Sequence, residues 1–291
     1  MRLLIAGASG LVGGNCLDFF SKQSNIEVIG THYSFPTNNT VFFDTLNLDN
    51  PDNFDVWKFR PTHILHAGAL THVDLCEQEP EQSYKQTVQS TLNILQIANS
   101  LQAKVIYIST DYVFDGQAGP YDEMAETNPL SIYAKHKWEA EELIRKESKH
   151  SLILRITNVY GDEIRDKNFV NRLFNACLQK ESLKLKLPID QFATPVNAHD
   201  LAQALWVLLR EGKQGIYHIA GTDYLNRVQL AEKIFSYFPE HKIEVVACTT
   251  IELNQAAPRP LQGGLKSKKF LTEFPFFRFT SVDQYLVKKL K

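Results

Sequence analysis

The sequence predicts an α/β fold, a doubly wound parallel sheet with a smaller C-terminal lobe. Three observations predict it. The chain opens with a short apolar run, Leu3-Leu4-Ile5-Ala6, that passes directly into a glycine-spaced turn. Through the first half, apolar runs of strand length alternate with helix-length amphipathic patterns, the signature of βαβ units. Hydroxyl, acidic and glycine residues cluster just after the apolar runs. Right-handed crossovers gather the carboxyl ends of parallel strands at one edge, which is where such sheets bind ligands.

Each element follows in order. Residues 3–6 read as a buried strand, and Gly7-Ala8-Ser9-Gly10-Leu11-Val12-Gly13 follows at once. In a G-x-x-G-x-x-G turn of this kind, Gly7 permits the tight turn and Gly10 lets the backbone approach a pyrophosphate. Gly13 lets the next helix pack close to the strand. The helix predicted over 10–21 then points the unpaired N–H groups of residues 9–12 at the phosphates. The unit is therefore read as the opening of a dinucleotide-binding, Rossmann-type domain. Further strands are predicted at 27–31, 41–43, 64–67, 104–109 and 151–156, and helices at 53–59, 81–101 and 133–146. In the second half, 168–179, 199–211 and 227–238 read as helices, 215–219 and 243–247 as strands. Residues 254–264 hold two prolines and two glycines and read as a loop. The expected division is a dinucleotide-binding core over 1–160 and a smaller substrate lobe over 161–291, with segments of the lobe returning to the core. A cleft between the two is where a substrate would sit.

Composition narrows the classes. With 31 basic and 33 acidic residues the net charge is −2, and the basic residues are scattered, so nothing points to nucleic acid. The densest basic stretch, Lys266-Ser267-Lys268-Lys269, reads as solvated surface. No apolar run approaches the length of a membrane span, and Gly7 interrupts the first one where a signal peptide would continue. Cys16, Cys76, Cys177 and Cys248 lie far apart in apolar surroundings. They read as buried thiols of a reducing compartment, with neither a disulfide framework nor a metal site. A cytoplasmic protein is expected, and a homodimer is allowed but not required.

The second motif is Tyr133-Ala134-Lys135-His136-Lys137. It opens a predicted helix, so Tyr133 and Lys137 share one face. A free phenol has a pKa near ~10, and an ammonium one turn away is expected to lower it and make it useful in acid-base chemistry. A second pair with this spacing, Tyr285 with Lys288 and Lys289, has no such context and reads as an ordinary amphipathic helix end. Upstream of Tyr133, the β-type run Tyr107-Ile108-Ser109 breaks into Thr110-Asp111-Tyr112. Ser, Thr and Asp there could simply cap a turn.

In this order, glycine turn, strand-end Ser-Thr and Tyr-x-x-x-Lys resemble the extended short-chain dehydrogenase/reductases. Within them the chain is similar to the dTDP-4-dehydrorhamnose reductase group over nearly its whole length. Ser109-Thr110-Asp111-Tyr112-Val113-Phe114 is the strongest shared signature. Ala67-Gly68-Ala69-Leu70-Thr71-His72-Val73-Asp74, Leu154-Arg155, Val159-Tyr160-Gly161, Asp190-Gln191-Phe192-Ala193-Thr194-Pro195, Asp200-Leu201-Ala202 and Arg259-Pro260 add to it. The resemblance implies a reductase using NADPH or NADH on a nucleotide-linked 4-keto sugar. Tyr133 would protonate the carbonyl oxygen, Lys137 would tune Tyr133 and hold the nicotinamide ribose, and Thr110 would hydrogen-bond the carbonyl. Gly7, Ser9, Gly10, Leu11, Val12, Gly13, Thr31, Ala67, Gly68 and Ala69, with Tyr133 and Lys137, would contact the cofactor. Val73, Thr110, Asp111, Tyr112 and Asn158 would line the substrate site.

Two departures bear on specificity. The second strand ends Ile29-Gly30-Thr31-His32-Tyr33-Ser34 without the acid that would take the ribose hydroxyls of NAD. NADPH is therefore the expected cofactor, although no Arg or Lys stands at that turn. Asn158 stands where the rhamnose-pathway pattern carries a tryptophan, so a more polar sugar is expected. The family also includes the regulatory β subunit of methionine adenosyltransferase. A non-catalytic dinucleotide-binding subunit therefore stays open as a second reading, and a sugar-nucleotide epimerase or dehydratase as a third.

Overall fold

Leu3, Leu4 and Ile5 are fully buried, because helices cover both faces of the sheet that they begin. The computed structural model describes residues 1–148 and 150–291. Its first half contains β1 (Arg2–Ala6), α1 (Leu11–Ser21), β2 (Glu27–His32), β3 (Thr40–Phe42), α2 (Val56–Phe59), β4 (His63–His66), α3 (Val73–Gln78), α4 (Pro80–Tyr84), α5 (Ser90–Leu101), β5 (Lys104–Thr110), α6 (Ile132–Glu147) and β6 (Ser151–Ile156). The second half contains α7 (Phe169–Leu178), β7 (Ser182–Pro188), β8 (Phe192–Ala193), α8 (Ala198–Arg210), β9 (Gly215–Ile219), β10 (Leu225–Asn226), α9 (Arg227–Phe235), β11 (Lys242–Cys248), α10 (Thr250–Leu253), α11 (Lys268–Glu273) and α12 (Val282–Lys289).

The main sheet has seven parallel strands in the order β3-β2-β1-β4-β5-β6-β9. The chain winds outward one way from β1 and the other way from β4. The switch point therefore falls between these two strands, and the glycine turn after β1 opens onto it. The period of two splits β1 between two cores. Leu3 and Ile5 pack with Cys16 and Phe20 of α1 and with Leu201 and Leu205 of α8. Leu4 and Ala6 pack with Ile94 and Ile97 of α5 and with Ala140 and Ile144 of α6. Each fully buried large aliphatic or aromatic side chain contributes roughly 1.5–3 kcal/mol of transfer free energy. A third core joins α7, α9 and α12 to the small parallel sheet β7-β11. The second half thus supplies both a strand (β9) and a helix (α8) to the layers of the main sheet.

The predicted doubly wound class matches this architecture, with differences in detail. The helix expected over 81–101 runs unbroken over 80–101 but holds a π-helical turn. α3 and α4 precede this turn, at Lys85–Gln89, and α5 follows. Pro80 sets the start of α4, and in the π turn the Thr87 carbonyl accepts a hydrogen bond from the Thr91 hydroxyl at 2.6 Å, a side-chain competitor for backbone bonding. The helix expected over 53–59 shrinks to the single turn α2, capped by Asp55 and ended by Arg60 in the left-handed region. β7, with Leu183, Leu185 and Leu187 alternating with lysines, was not expected, nor were α10 and α11, whereas the helix end expected at Tyr285–Lys289 is α12. In the basic stretch Lys266 and Lys268 are exposed, while Ser267 is buried and Lys269 lies 3.8 Å over the Tyr217 ring. All four cysteines are buried free thiols. Among the described residues, no helix is long and apolar enough to cross a membrane, and no cluster of His, Cys, Asp and Glu could hold a metal.

One ion pair lies entirely inside. Arg155 on β6 forks onto Glu141 of α6 through bonds of 3.0, 3.2 and 2.6 Å, with the two side chains 5% and 0% exposed. The guanidinium also sits 5.2 Å from the centre of the Phe114 ring. Removing one charge strands the other in a low-dielectric interior. Glu141→Gln is expected to lower the unfolding free energy by about 3 kcal/mol in chemical denaturation. A change within experimental error would show that the pair contributes nothing net.

Candidate active site

The glycine turn is built as its spacing implies. Gly7 adopts φ +87°, and a Cβ there would come within 2.6 Å of the Gly68 backbone nitrogen. A Cβ on Gly13 would come within 2.4 Å of the Gly7 carbonyl oxygen, so the start of α1 can press against the strand end only because residue 13 is glycine. At Gly10 a Cβ would meet nothing nearer than the Gly7 oxygen at 3.5 Å, so open space faces this residue. No side chain caps the N-terminus of α1 and no acid lies in its first turn. The turn borders a cleft of about 440 Å³ that is also lined by Thr31, Ala67, Gly68, Ala69, His66 and Asp44. An uncapped helix end, open space at Gly10 and no carboxylate in the first turn fit a pyrophosphate group.

A second, larger cleft of about 780 Å³ adjoins the first. Leu11, Val12, Ala67, Ala69, Thr71, Lys167 and Asn168 border both. Val73, Thr110, Asp111, Tyr112, Tyr133, Lys137 and Asn158 all line the second. Tyr133 is the second residue of α6, whose N-cap Ser131 accepts a hydrogen bond from the Ala134 N–H at 3.3 Å. Its ring stands edge-on to Tyr112, with centroids 5.8 Å apart. Thr110 does cap a short 3-10 turn, accepting from the Tyr112 N–H at 3.2 Å. Its hydroxyl also lies within hydrogen-bonding reach of the Tyr133 phenol.

The electrostatics differ from expectation. Lys137 is buried, and its Nζ donates to the Ile108 carbonyl at 2.5 Å and lies 4.0 Å over the Tyr107 ring. Burial lowers its pKa to about 7, and Glu141 on the next turn opposes the shift. Burial also pushes the Tyr133 phenol well above its ordinary value. The Thr110 hydroxyl pulls the other way, and Tyr112 and Asp111 push it up further. The expected lowering by Lys137 is therefore overruled by desolvation of both groups.

Two predicted substrate residues are engaged elsewhere. One Asp111 oxygen accepts from the Thr157 hydroxyl at 2.7 Å and the Gly264 N–H at 3.0 Å, and the other from the Thr110 hydroxyl at 3.3 Å. Asp111 thus braces the loop before α11 against the strand ends. Asn158 adopts φ +38° and its oxygen accepts from Arg227 at 2.9 Å. Asparagine tolerates this left-handed backbone better than a tryptophan would, which accounts locally for the departure at this position.

Sequence reasoning missed most of the charge in the second cleft. Arg172, Arg227, Arg259, Lys167 and Lys186 line it, against Asp111 as the one acid among its described lining residues. Arg259 is held 2.9 Å from Asp74. Only Arg259 carried a sequence signal, its Arg-Pro motif. The other Tyr/Lys pair lies on α12, where Tyr285 donates to Asp162 at 2.9 Å and takes no part in either cleft.

A glycine-turn α/β sheet whose Tyr/Lys helix faces the second of two joined clefts defines the class of extended short-chain dehydrogenase/reductases. Within that class the chain belongs to the family described as RmlD substrate binding domain, whose model matches residues 1–286. It is 30% identical over 278 residues to methionine adenosyltransferase 2 subunit beta of Xenopus laevis, covering 92% of this chain and 81% of that one. It is 29% identical over 287 residues to dTDP-4-dehydrorhamnose reductase of Aggregatibacter actinomycetemcomitans, covering 94% and 93%. A crystal structure of a dTDP-4-dehydrorhamnose reductase from Clostridium acetobutylicum superposes with a TM-score of 0.83 at 31% identity over the whole of both chains. The Bacillus anthracis dTDP-4-dehydrorhamnose reductase, solved in complex with NADP, gives 0.84 at 27% identity and covers 99% and 97%.

Proposed function

We infer that the protein is an NADPH-dependent reductase of a nucleotide-linked 4-keto-deoxysugar. The observation that carries this reading is the placement of Thr110, Tyr133 and Lys137 in the second cleft, which shares a wall with the cleft of the glycine turn. The relatives named as dTDP-4-dehydrorhamnose reductases and the NADP complex of one of them support it. Bound along the glycine turn, a reduced nicotinamide supplies a hydride. The protein's residues do the rest. Hydride addition to a carbonyl carbon would place negative charge on its oxygen, to which Tyr133 would donate a hydrogen bond, joined by Thr110 once its hydroxyl turns from Asp111. Tyr133, held protonated by burial, then gives up its proton to complete the alcohol. Lys137, held by Ile108 and the Tyr107 ring, would stabilise the phenolate left behind. The arginines of the second cleft suit the diphosphate that links sugar to nucleoside.

The reading is tested by NADPH oxidation with dTDP-4-dehydrorhamnose and a panel of other nucleotide 4-keto sugars. NADPH is expected to be used at least as well as NADH. A kcat/KM favouring NADH by more than about tenfold, or ~1.4 kcal/mol, would overturn the cofactor assignment. Tight NADPH binding without reduction of any sugar would instead favour a non-catalytic subunit, the reading that similarity to methionine adenosyltransferase 2 subunit beta supports.

A further inference from the structure

We propose that Arg165 reads the 2′-phosphate of NADPH, and that the loop between β6 and α7 brings this charge to the end of β2. The proposal rests on the reading that the glycine-turn cleft holds a dinucleotide. In such folds the adenosine ribose lies at the end of the second strand, where an acid selects NAD and a cation accommodates the extra phosphate. Here β2 runs into Thr31, His32, Tyr33 and Ser34, which line the cleft without either charge. Residues 162–168 reach the same cleft, through Glu163, Arg165, Lys167 and Asn168. The Arg165 guanidinium lies 5.1 Å from the centre of the Phe35 ring, one residue beyond the turn that lacks a cation.

Arg165 makes no ion pair among the described residues, although acids lie close in sequence. Glu163 turns one oxygen, Oε1, to the backbone N–H groups of Lys167 and Asn168, and Asp166 turns Oδ1 to the side-chain amides of Asn171 at 2.7 Å and Asn175 at 3.2 Å, and neither acid pairs with Arg165. The guanidinium fork therefore faces the cleft with its donors uncommitted to any carboxylate. Such a fork matches phosphate geometry, and its face stacks on an aromatic ring. The loop is also fixed relative to the glycine turn. Asn15 on α1 donates to the Asp162 carbonyl at 2.9 Å, and Tyr285 and Lys289 of α12 hold the Asp162 carboxylate at 2.9 and 2.7 Å. The charge is thus delivered from about 130 residues along the chain from the strand that it serves, and no turn-local motif announces it.

The experiment is calorimetric titration of 2′,5′-ADP and of 5′-ADP into the full chain, as wild type, Arg165→Met and Arg165→Lys. Wild type is expected to bind 2′,5′-ADP about tenfold or more tightly than 5′-ADP, the scale of a charge-assisted contact. Arg165→Met should bring that ratio close to one while leaving 5′-ADP affinity and the melting temperature unchanged. Arg165→Lys should restore part of the preference. An unchanged ratio in Arg165→Met overturns the proposal, and so does an equal loss for both nucleotides, which would make Arg165 a support for the loop or the adenine. If wild type binds neither nucleotide nor NADPH, the dinucleotide reading of the cleft falls, and the proposal falls with it.

Discussion

Replacing Tyr133 by phenylalanine is expected to cut turnover by about 10²–10⁴-fold, the range that a positioned general acid contributes. The ring would keep its edge contact with Tyr112, and the capped first turn of α6 does not depend on the hydroxyl. NADPH affinity should therefore hold while the chemical step fails. Phenol burial makes the case sharper. The hydroxyl is held neutral, so it is a proton source in the reducing direction. The control is Tyr285→Phe. That hydroxyl bonds Asp162 from α12 and lines neither cleft. Turnover at saturating NADPH should be little changed. Single-turnover NADPH oxidation and calorimetry on both variants decide the matter, and equal activities would refute the choice of Tyr133.

Gly10→Val is expected to abolish detectable dinucleotide binding and to leave the fold intact. The prediction separates Gly10 from its two neighbours in the motif. At Gly7 and Gly13 an added Cβ would come within 2.6 and 2.4 Å of backbone atoms, so substitution there confounds binding with folding. At Gly10 the nearest atom would be 3.5 Å away, and φ is −91°, in reach of any L-residue. A branched side chain would then stand in the space that the phosphates must approach. Calorimetry with NADPH and a thermal melt check both halves. Retained affinity would remove the pyrophosphate from the glycine turn, and a large fall in melting temperature would show that Gly10 has a packing role as well.

Much of the fold was legible because its signals are local. The run Leu3–Ala6, the glycine spacing and the alternation of strands with helices each depend on residues within a few positions of one another. The same holds for Tyr133 and Lys137, which one helical turn brings to one face. What escaped was of two kinds. The leucine-lysine alternation of β7 carries a strand signal, but its partner β11 lies more than fifty residues downstream. The π turn between α4 and α5, which buries Thr87 and Val88, sits in an otherwise helical pattern that carries no local signal for it.

The sequence by itself determined the doubly wound sheet, the glycine turn at its switch point and the order of Thr110, Tyr133 and Lys137, because periodicity and turn chemistry are properties of neighbouring residues. Only the tertiary structure decided which cations face which cleft. It placed Arg165 on Phe35, set Arg227 against Asn158 and committed Asp111 to Thr157 and Gly264. It also raised the Tyr133 pKa where helix spacing alone argued for a fall. Such contacts join segments separated by tens of residues, and desolvation depends on everything packed around a group. Neither is encoded in any window of the chain that could be read before the crossovers and the second lobe bring those segments together.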